Sequence, residues 1–169
     1  MLNYHSRTII NLGLLILVVV LVLITLYEPG LDETEHKLPL TNLNPTEINS
    51  IRISDTKGRE LILKKLQGHW QMTSPHQEAA DETRIAQLLG IATTRSFSHF
   101  IVPEDRLAEF GLNPAPIQLK LNNVTLEIGG NESLRFRRYV RIGDQIHLIS
   151  NGFHHHLMAQ PDDFIAPNR

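Results

Sequence analysis

The chain has 169 residues, no cysteine and a formal net charge of -2, and 41% of its residues are hydrophobic. The lack of cysteine excludes disulfide bonds, cysteine-ligated zinc sites and thiol nucleophiles. The weakly negative charge disfavours nucleic acid as a partner, because proteins that bind it usually present a basic surface. Length and composition favour one modest folded domain.

The first predicted element is a transmembrane helix over residues 9–27. All but three of these residues are apolar, and about 19 residues cover about 28 Å, close to the roughly 30 Å core of a bilayer. Arg7 precedes the helix and acidic residues follow it, so the N-terminus, residues 1–8, is expected in the cytoplasm. An uncleaved signal anchor is favoured over a cleaved signal peptide, because residues 25–28 lack a small-x-small pattern. The sequence thus predicts a single-pass protein of the bacterial inner membrane.

The anchor is followed by a predicted linker and then a predicted periplasmic domain. Residues 28–46 are acidic and contain three prolines, which is typical of an irregular tether. A segment that becomes ordered on a partner is the alternative interpretation. The domain is assigned to residues 47–169.

Strand patterns dominate this domain. Residues 48–72 predict a three-stranded antiparallel meander, and residues 117–128 and 135–149 predict two hairpins. Asp81 is a plausible cap for an amphipathic helix, and shorter helices are predicted over residues 103–110 and 151–159. Because strands and helices do not alternate regularly, the predicted class is α+β: one N-terminal transmembrane helix, then a small domain of antiparallel sheet (meander plus two hairpins) with two or three helices.

Several short motifs of this domain form a pattern across residues 47–149. They are Trp70 with Pro75, Ala80-Asp81, Leu88-Leu89, Glu-Phe-Gly-Leu-Asn-Pro-Ala-Pro over residues 109–116, Leu-Glu-Ile-Gly over residues 126–129, and Tyr139-Val140-Arg141. In these motifs the chain resembles the bacterial family known as domain of unknown function 4340. The resemblance implies an N-terminal membrane anchor in many members. For some members, the resemblance also implies a similarity to the auxiliary part of ABC-type systems that are linked to gliding motility. This part is itself similar to substrate-binding proteins. It implies no established reaction and no catalytic residues.

One strand offers a candidate binding surface. Arg135, Arg137, Tyr139 and Arg141 share one side by the two-residue period of a strand, and guanidinium groups bind oxyanions through paired hydrogen bonds. This strip is the predicted site for a partner or an anion. A solvated outer sheet face is the alternative. Arg138 is placed on the apolar side, where it needs a partner such as Glu127 or Glu132.

The sequence contains no recognisable catalytic or metal motif. Three consecutive histidines, His154 to His156, point about 100° apart on a helix and cannot converge on one ion. His147 joining one of them is the remaining metal arrangement. No catalytic residue, cofactor or metal site is predicted.

The sequence therefore predicts a non-catalytic, membrane-anchored periplasmic accessory or scaffold protein. Its expected partner is another envelope or membrane protein, such as a subunit of a membrane or ABC-type transport complex. The alternative is a periplasmic binding module for a small anionic ligand.

Overall fold

The computed structural model describes residues 4–26 and 38–167. The chain divides into two compact units, residues 1–36 and residues 37–169. The first contains the helix α1 (Tyr4–Leu26), within which side chains are described for residues 10–24. The second contains every described strand.

The prediction of a membrane anchor is wrong. Within residues 4–26 and 38–167, no helix has the combination of length and apolar character needed to cross a membrane. The predicted localisation is therefore not supported. It had placed the chain in the inner membrane as a single-pass protein, with a cytoplasmic N-terminus and a periplasmic C-terminal domain.

The second unit is built on one nine-stranded sheet in which all neighbouring strands are antiparallel. The strands are β1 (Ser50–Asp55), β2 (Glu60–Leu66), β3 (His69–Ser74), β4 (Glu78–Ala79), β5 (Ser98–Phe100), β6 (Ile117–Leu121), β7 (Val124–Glu132), β8 (Arg137–Ile142) and β9 (Gln145–Ser150). Their order across the sheet is β4-β3-β2-β1-β6-β7-β8-β9-β5. The meander and the two hairpins thus belong to one continuous sheet, because β1 pairs with β6.

Helices make up little of this unit. The α-helices are α2 (Glu82–Leu89) and α3 (His154–Met158), and Glu104–Phe110 is a 3-10 helix. Further short 3-10 turns are Pro45–Glu47, Gly90–Thr93, Asn151–Phe153 and Pro161–Phe164. The predicted fold class is therefore wrong: the structure is a large antiparallel sheet with few helices, and no membrane-spanning helix lies among its described residues. Pro103 and Gly111 limit the segment between them to seven residues, which is short for an α-helix.

The main core lies on one side of the sheet, here called the inner face. Strand residues such as Ile51, Leu119 and Leu126 are fully buried there. The apolar stripe of α2, including Ile85 and Leu88, joins the same core. Asp81 caps α2 by accepting hydrogen bonds from the Thr83 and Arg84 amides, so the helix begins where the sequence predicts.

Part of the predicted linker packs on this core. Residues 28–37 lie outside the described residues. Leu40 is buried, and its amide donates to the Thr94 carbonyl. The Thr41 hydroxyl donates to the Ala92 carbonyl over 2.8 Å. The folded unit therefore includes residues before position 47.

Candidate binding surfaces on the outer face

The opposite side of the sheet, here called the outer face, is divided into a covered and an uncovered part. The covered part, or closed half, lies at β7, β8, β9 and β5, where the 3-10 helix Glu104–Phe110 helps to form a second small core. The uncovered part, or open half, lies at β2, β1 and β6, where outward side chains such as Lys64 and Lys120 are exposed. The buried members of the second core are Leu107, Leu112, Ala115 and Ile146.

Close contact between two backbone segments holds the cover in place. Gly111 ends the 3-10 helix with a φ of 66°, a left-handed conformation that glycine adopts without strain. A Cβ atom on Gly129 would lie 2.6 Å from the Phe110 carbonyl oxygen. Both glycines belong to the motifs noted in the sequence, so those motifs have an architectural role in docking the cover on β7.

The predicted strip of Arg135, Arg137, Tyr139 and Arg141 falls on and beside the closed half. Arg135 precedes β8 and lies in the turn formed by residues 133–136. The other three are on β8 and share the outer face, as their period predicts. Tyr139 lies between the two arginines of the strand and packs against Phe110, with ring centroids 5.0 Å apart. The four residues thus do not form a continuous cationic surface.

The two strand arginines already have contacts. Arg137 places its guanidinium 3.8 Å from the centre of the Phe97 ring. Arg141 lies 3.4 Å from Glu127 and 4.0 Å from Glu104, and its Nε donates to the Gly143 carbonyl. An incoming anion at Arg141 would compete with two carboxylates.

A cavity of about 490 Å³ adjoins Arg141 on this face. Asp55, Glu104 and Glu127 are among its lining residues. Asp55 forms an ion pair with Arg59 over 3.1 Å and accepts hydrogen bonds from two backbone amides. Burial alone would raise the pKa of Asp55, but these bonds together outweigh it and keep the pKa below its usual value. The carboxylates make the cavity unfavourable for a small anion.

Arg138 is buried on the inner side of β8, as its position predicts. Its guanidinium donates to the Asn151 side chain over 2.7 Å and to the Gly129 carbonyl, rather than to Glu127 or Glu132. Burial lowers the pKa of Arg138. This arginine supports the fold and is not offered to a partner.

The turn between β7 and β8 carries a feature that the strand period did not predict. Leu134 is 87% exposed and Phe136 is 73% exposed. Phe136 has a φ of 52°, which is an unusual backbone conformation for a bulky residue. The two-residue period of a strand would place Phe136 on the same side as Arg138, but Phe136 lies in the turn that precedes β8. We call residues 133–136 the hairpin tip.

The histidines do not form the metal site considered from the sequence. His147 lies 3.0 Å from the Ser96 hydroxyl and stacks on His99, with ring centroids 5.8 Å apart. Burial, together with the nearby His99, lowers the pKa of His147. The rings of His155 and His156 are tilted against each other, with centroids 3.7 Å apart. Among the described residues no group of three or more candidate ligands converges on a metal position.

The sequence profile of one family matches this chain over residues 70–168; the family is described as domain of unknown function (DUF4340). The match covers more than half of the chain. This chain belongs to the DUF4340 family. No curated protein and no solved structure matches it.

The DUF4340 match starts at Trp70, a buried residue of β3. It therefore includes the closed half, its cover and the hairpin tip, whereas β1 and β2 precede it. The Gly111 and Gly129 contact lies within the matched region.

Proposed function

We propose that this chain is a non-catalytic module that binds another protein and positions it within a larger assembly. The observation that carries the proposal is the hairpin tip, where Leu134 and Phe136 expose their side chains in the turn that joins β7 and β8. Water solvates these groups poorly, so covering them with a partner is favourable.

The composition of the tip suits a protein partner. Aromatic residues and arginine are enriched at the centres of protein interfaces. Phe136 stands next to Arg135 in the tip, and Arg137 follows at the start of β8. The Asn151 amide donates to the Phe136 carbonyl over 3.1 Å, which fixes the backbone that presents the ring. A contact surface held in place before binding costs less conformational entropy on association.

The proposal treats the protein as non-enzymatic because two carboxylates of the cavity beside Arg141 are held in ion pairs. Asp55 is bound to Arg59, and Glu127 to Arg141. A general acid or base needs to reach a substrate instead of being held in a structural ion pair. The expectation of an ABC-type transport complex as the partner rests on the family resemblance alone.

Binding of a small anionic ligand is the second candidate. Arg141 borders a cavity of about 490 Å³, a volume within the usual range for small-molecule sites. Its contacts with Glu104 and Glu127 weaken this candidate. Thermal stabilisation of the full chain by a specific anion, lost in Arg141→Gln, would favour it over a protein partner.

The tip is tested by crosslinking the full chain in its native cells and identifying co-purifying proteins by mass spectrometry. The variant Leu134→Ser/Phe136→Asn removes both apolar side chains, and asparagine suits the left-handed backbone at position 136. The matched control, Leu66→Ser/Ile101→Ser, removes two other exposed apolar side chains.

We expect one reproducible partner with the wild type and the control, and a loss of at least about tenfold with the tip variant. Urea denaturation should show that the tip variant is folded, with stability within about 0.5 kcal/mol of the wild type. Equal recovery with the tip variant and the control, or no partner with the wild type, contradicts the proposal.

A further inference from the structure

The open half of the outer face carries a second surface, formed by three cations on three adjacent strands. Arg52 on β1 lies directly opposite Lys120 on β6. Lys64 on β2 lies opposite Ser50, which places it one diagonal step from Arg52. Side chains at opposite and diagonal positions of neighbouring strands are within reach of each other. We call these three residues the basic cluster.

The basic cluster lines a shallow depression. One cavity of about 310 Å³ is bordered by all three cations, together with Thr73 and Ser50. A neighbouring cavity of about 260 Å³ shares Arg52 and Lys120 with it. The two cavities thus form a continuous track across strands β2, β1, β6 and, through Thr125, β7.

The charge of this track is opposite to that of the whole chain. Glu60 lies 3.5 Å from Arg52, and both side chains are about half exposed, so the ion pair is weak. Within residues 38–167, neither Lys64 nor Lys120 forms an ion pair. Three cations and one carboxylate leave a local charge of about +2, whereas the chain as a whole carries -2.

We infer that the basic cluster binds an acidic segment of a partner protein. The track is open and its cations are exposed, whereas small-molecule sites usually bury most of their ligand. An extended segment can place successive carboxylates over Lys64, Arg52 and Lys120, because its alternate side chains point to one side. Long polyanions are disfavoured, since Glu127 and Asp55 flank the track in the adjoining cavity.

This inference goes beyond the hairpin tip and is independent of it. The basic cluster lies on β1, β2 and β6, whereas the tip joins β7 and β8. Loss of tip binding would leave the inference intact, and loss of cluster binding would leave the tip proposal intact.

The test measures binding of fluorescein-labelled hexaglutamate to the full-length chain by fluorescence anisotropy at low salt. The variant Lys64→Glu/Lys120→Glu reverses the two unpaired cations of the cluster. The control Lys57→Glu/Arg84→Glu reverses two cations in the β1–β2 turn and on α2. Both variants change the net charge by the same amount, so the comparison isolates position from total charge.

We expect saturable binding by the wild type, a loss of at least about tenfold in the cluster variant, and a change of less than about twofold in the control. Added salt should weaken binding, because the contacts are exposed. Circular dichroism and urea denaturation establish that both variants are folded.

Four outcomes would overturn the inference. They are no saturable binding by the wild type, equal weakening in the control, displacement of the peptide by inorganic phosphate at equal charge concentration, and tighter binding of a single-stranded oligonucleotide of equal charge. The last two outcomes would assign the cluster to a small oxyanion or to nucleic acid instead.

Discussion

The two halves of the outer face are built from the same alternating strands, yet their cations behave differently. On the closed half, Arg137 stacks on Phe97 and Arg141 is held by Glu127. On the open half, Lys64 and Lys120 extend into solvent. On the closed half these contacts come from Phe97, which precedes β5, and from Glu127 on β7, whereas Lys64 and Lys120 have no ion pair among the described residues.

The most arginine-rich strand is therefore not the most accessible cationic surface of the outer face. Charged residues that are close together in the sequence lie on a single strand. Accessible charge depends on neighbouring strands and on what packs above them. The basic cluster draws one residue from each of three strands and leaves its cations available to a partner.

The largest effect should come from truncating an isoleucine of the closed half, with an isoleucine of the open half as the comparison. Ile146 is fully buried in the second core, and Ile146→Ala should cost about 2–5 kcal/mol through lost contacts and a residual cavity. Ile62 borders the open cavity and is only partly buried, so Ile62→Ala should cost about 1 kcal/mol or less. Urea denaturation of the full chain measures both values. Equal losses would refute the division of the face into a closed and an open half.

A smaller effect is expected from removing one cation of each half. Arg137→Ala should cost about 0.5–1 kcal/mol, because the guanidinium lies over the Phe97 ring. Lys120→Ala should stay within about 0.5 kcal/mol of the wild type, since its side chain is exposed. A double-mutant cycle between Arg137→Ala and Phe97→Leu measures the contact directly. A coupling energy indistinguishable from zero would mean that Arg137 is as free as the cations of the open half.

The smallest effect should be a pH dependence at the covered end of the sheet. Ser96 donates to the Ser98 carbonyl, so its hydroxyl oxygen accepts from the Nδ1–H of His147. The pKa of His147 is lowered in the folded state, so folding favours its neutral form. The associated stability is present above the unfolded-state pKa of about 6.5 and is lost as pH falls through the folded-state value.

Burial also lowers the pKa of His154 and His156, which add to this loss in the same direction. Urea denaturation between pH 7.5 and pH 5 should therefore show falling stability in the wild type and a shallower fall in His147→Gln. Parallel curves for the two proteins would exclude His147 as a contributor.

Local sequence patterns were sufficient for the elements with strong local signals. The alternation of Ile117, Leu119 and Leu121 with polar residues predicted β6 and its buried side, and Asp81 predicted the start of α2. The two-residue period also placed Arg137, Tyr139 and Arg141 on one face. These features depend on the nearest neighbours in the chain, so they can be read without the tertiary structure.

Other features did not follow from the local sequence pattern. Phe136 follows the strand period but lies in a turn, and its positive φ places the ring in solvent. The apolar run of residues 9–27 had the composition of a membrane span, but the described part of α1 does not meet the required length and apolar character. The short strands β4 and β5 carry too few residues for their period to be recognised.

By itself, the sequence determined the family resemblance, the strand-rich second unit and the side of each long strand that is buried. Only the tertiary structure decided that β1 pairs with β6 to merge the meander and hairpins into one sheet, and that the segment ending at Phe110 covers half of its outer face. The physical reason is that local backbone geometry decides to which face of the sheet each side chain of a strand points. Whether that face is exposed is decided by packing between segments far apart in the chain.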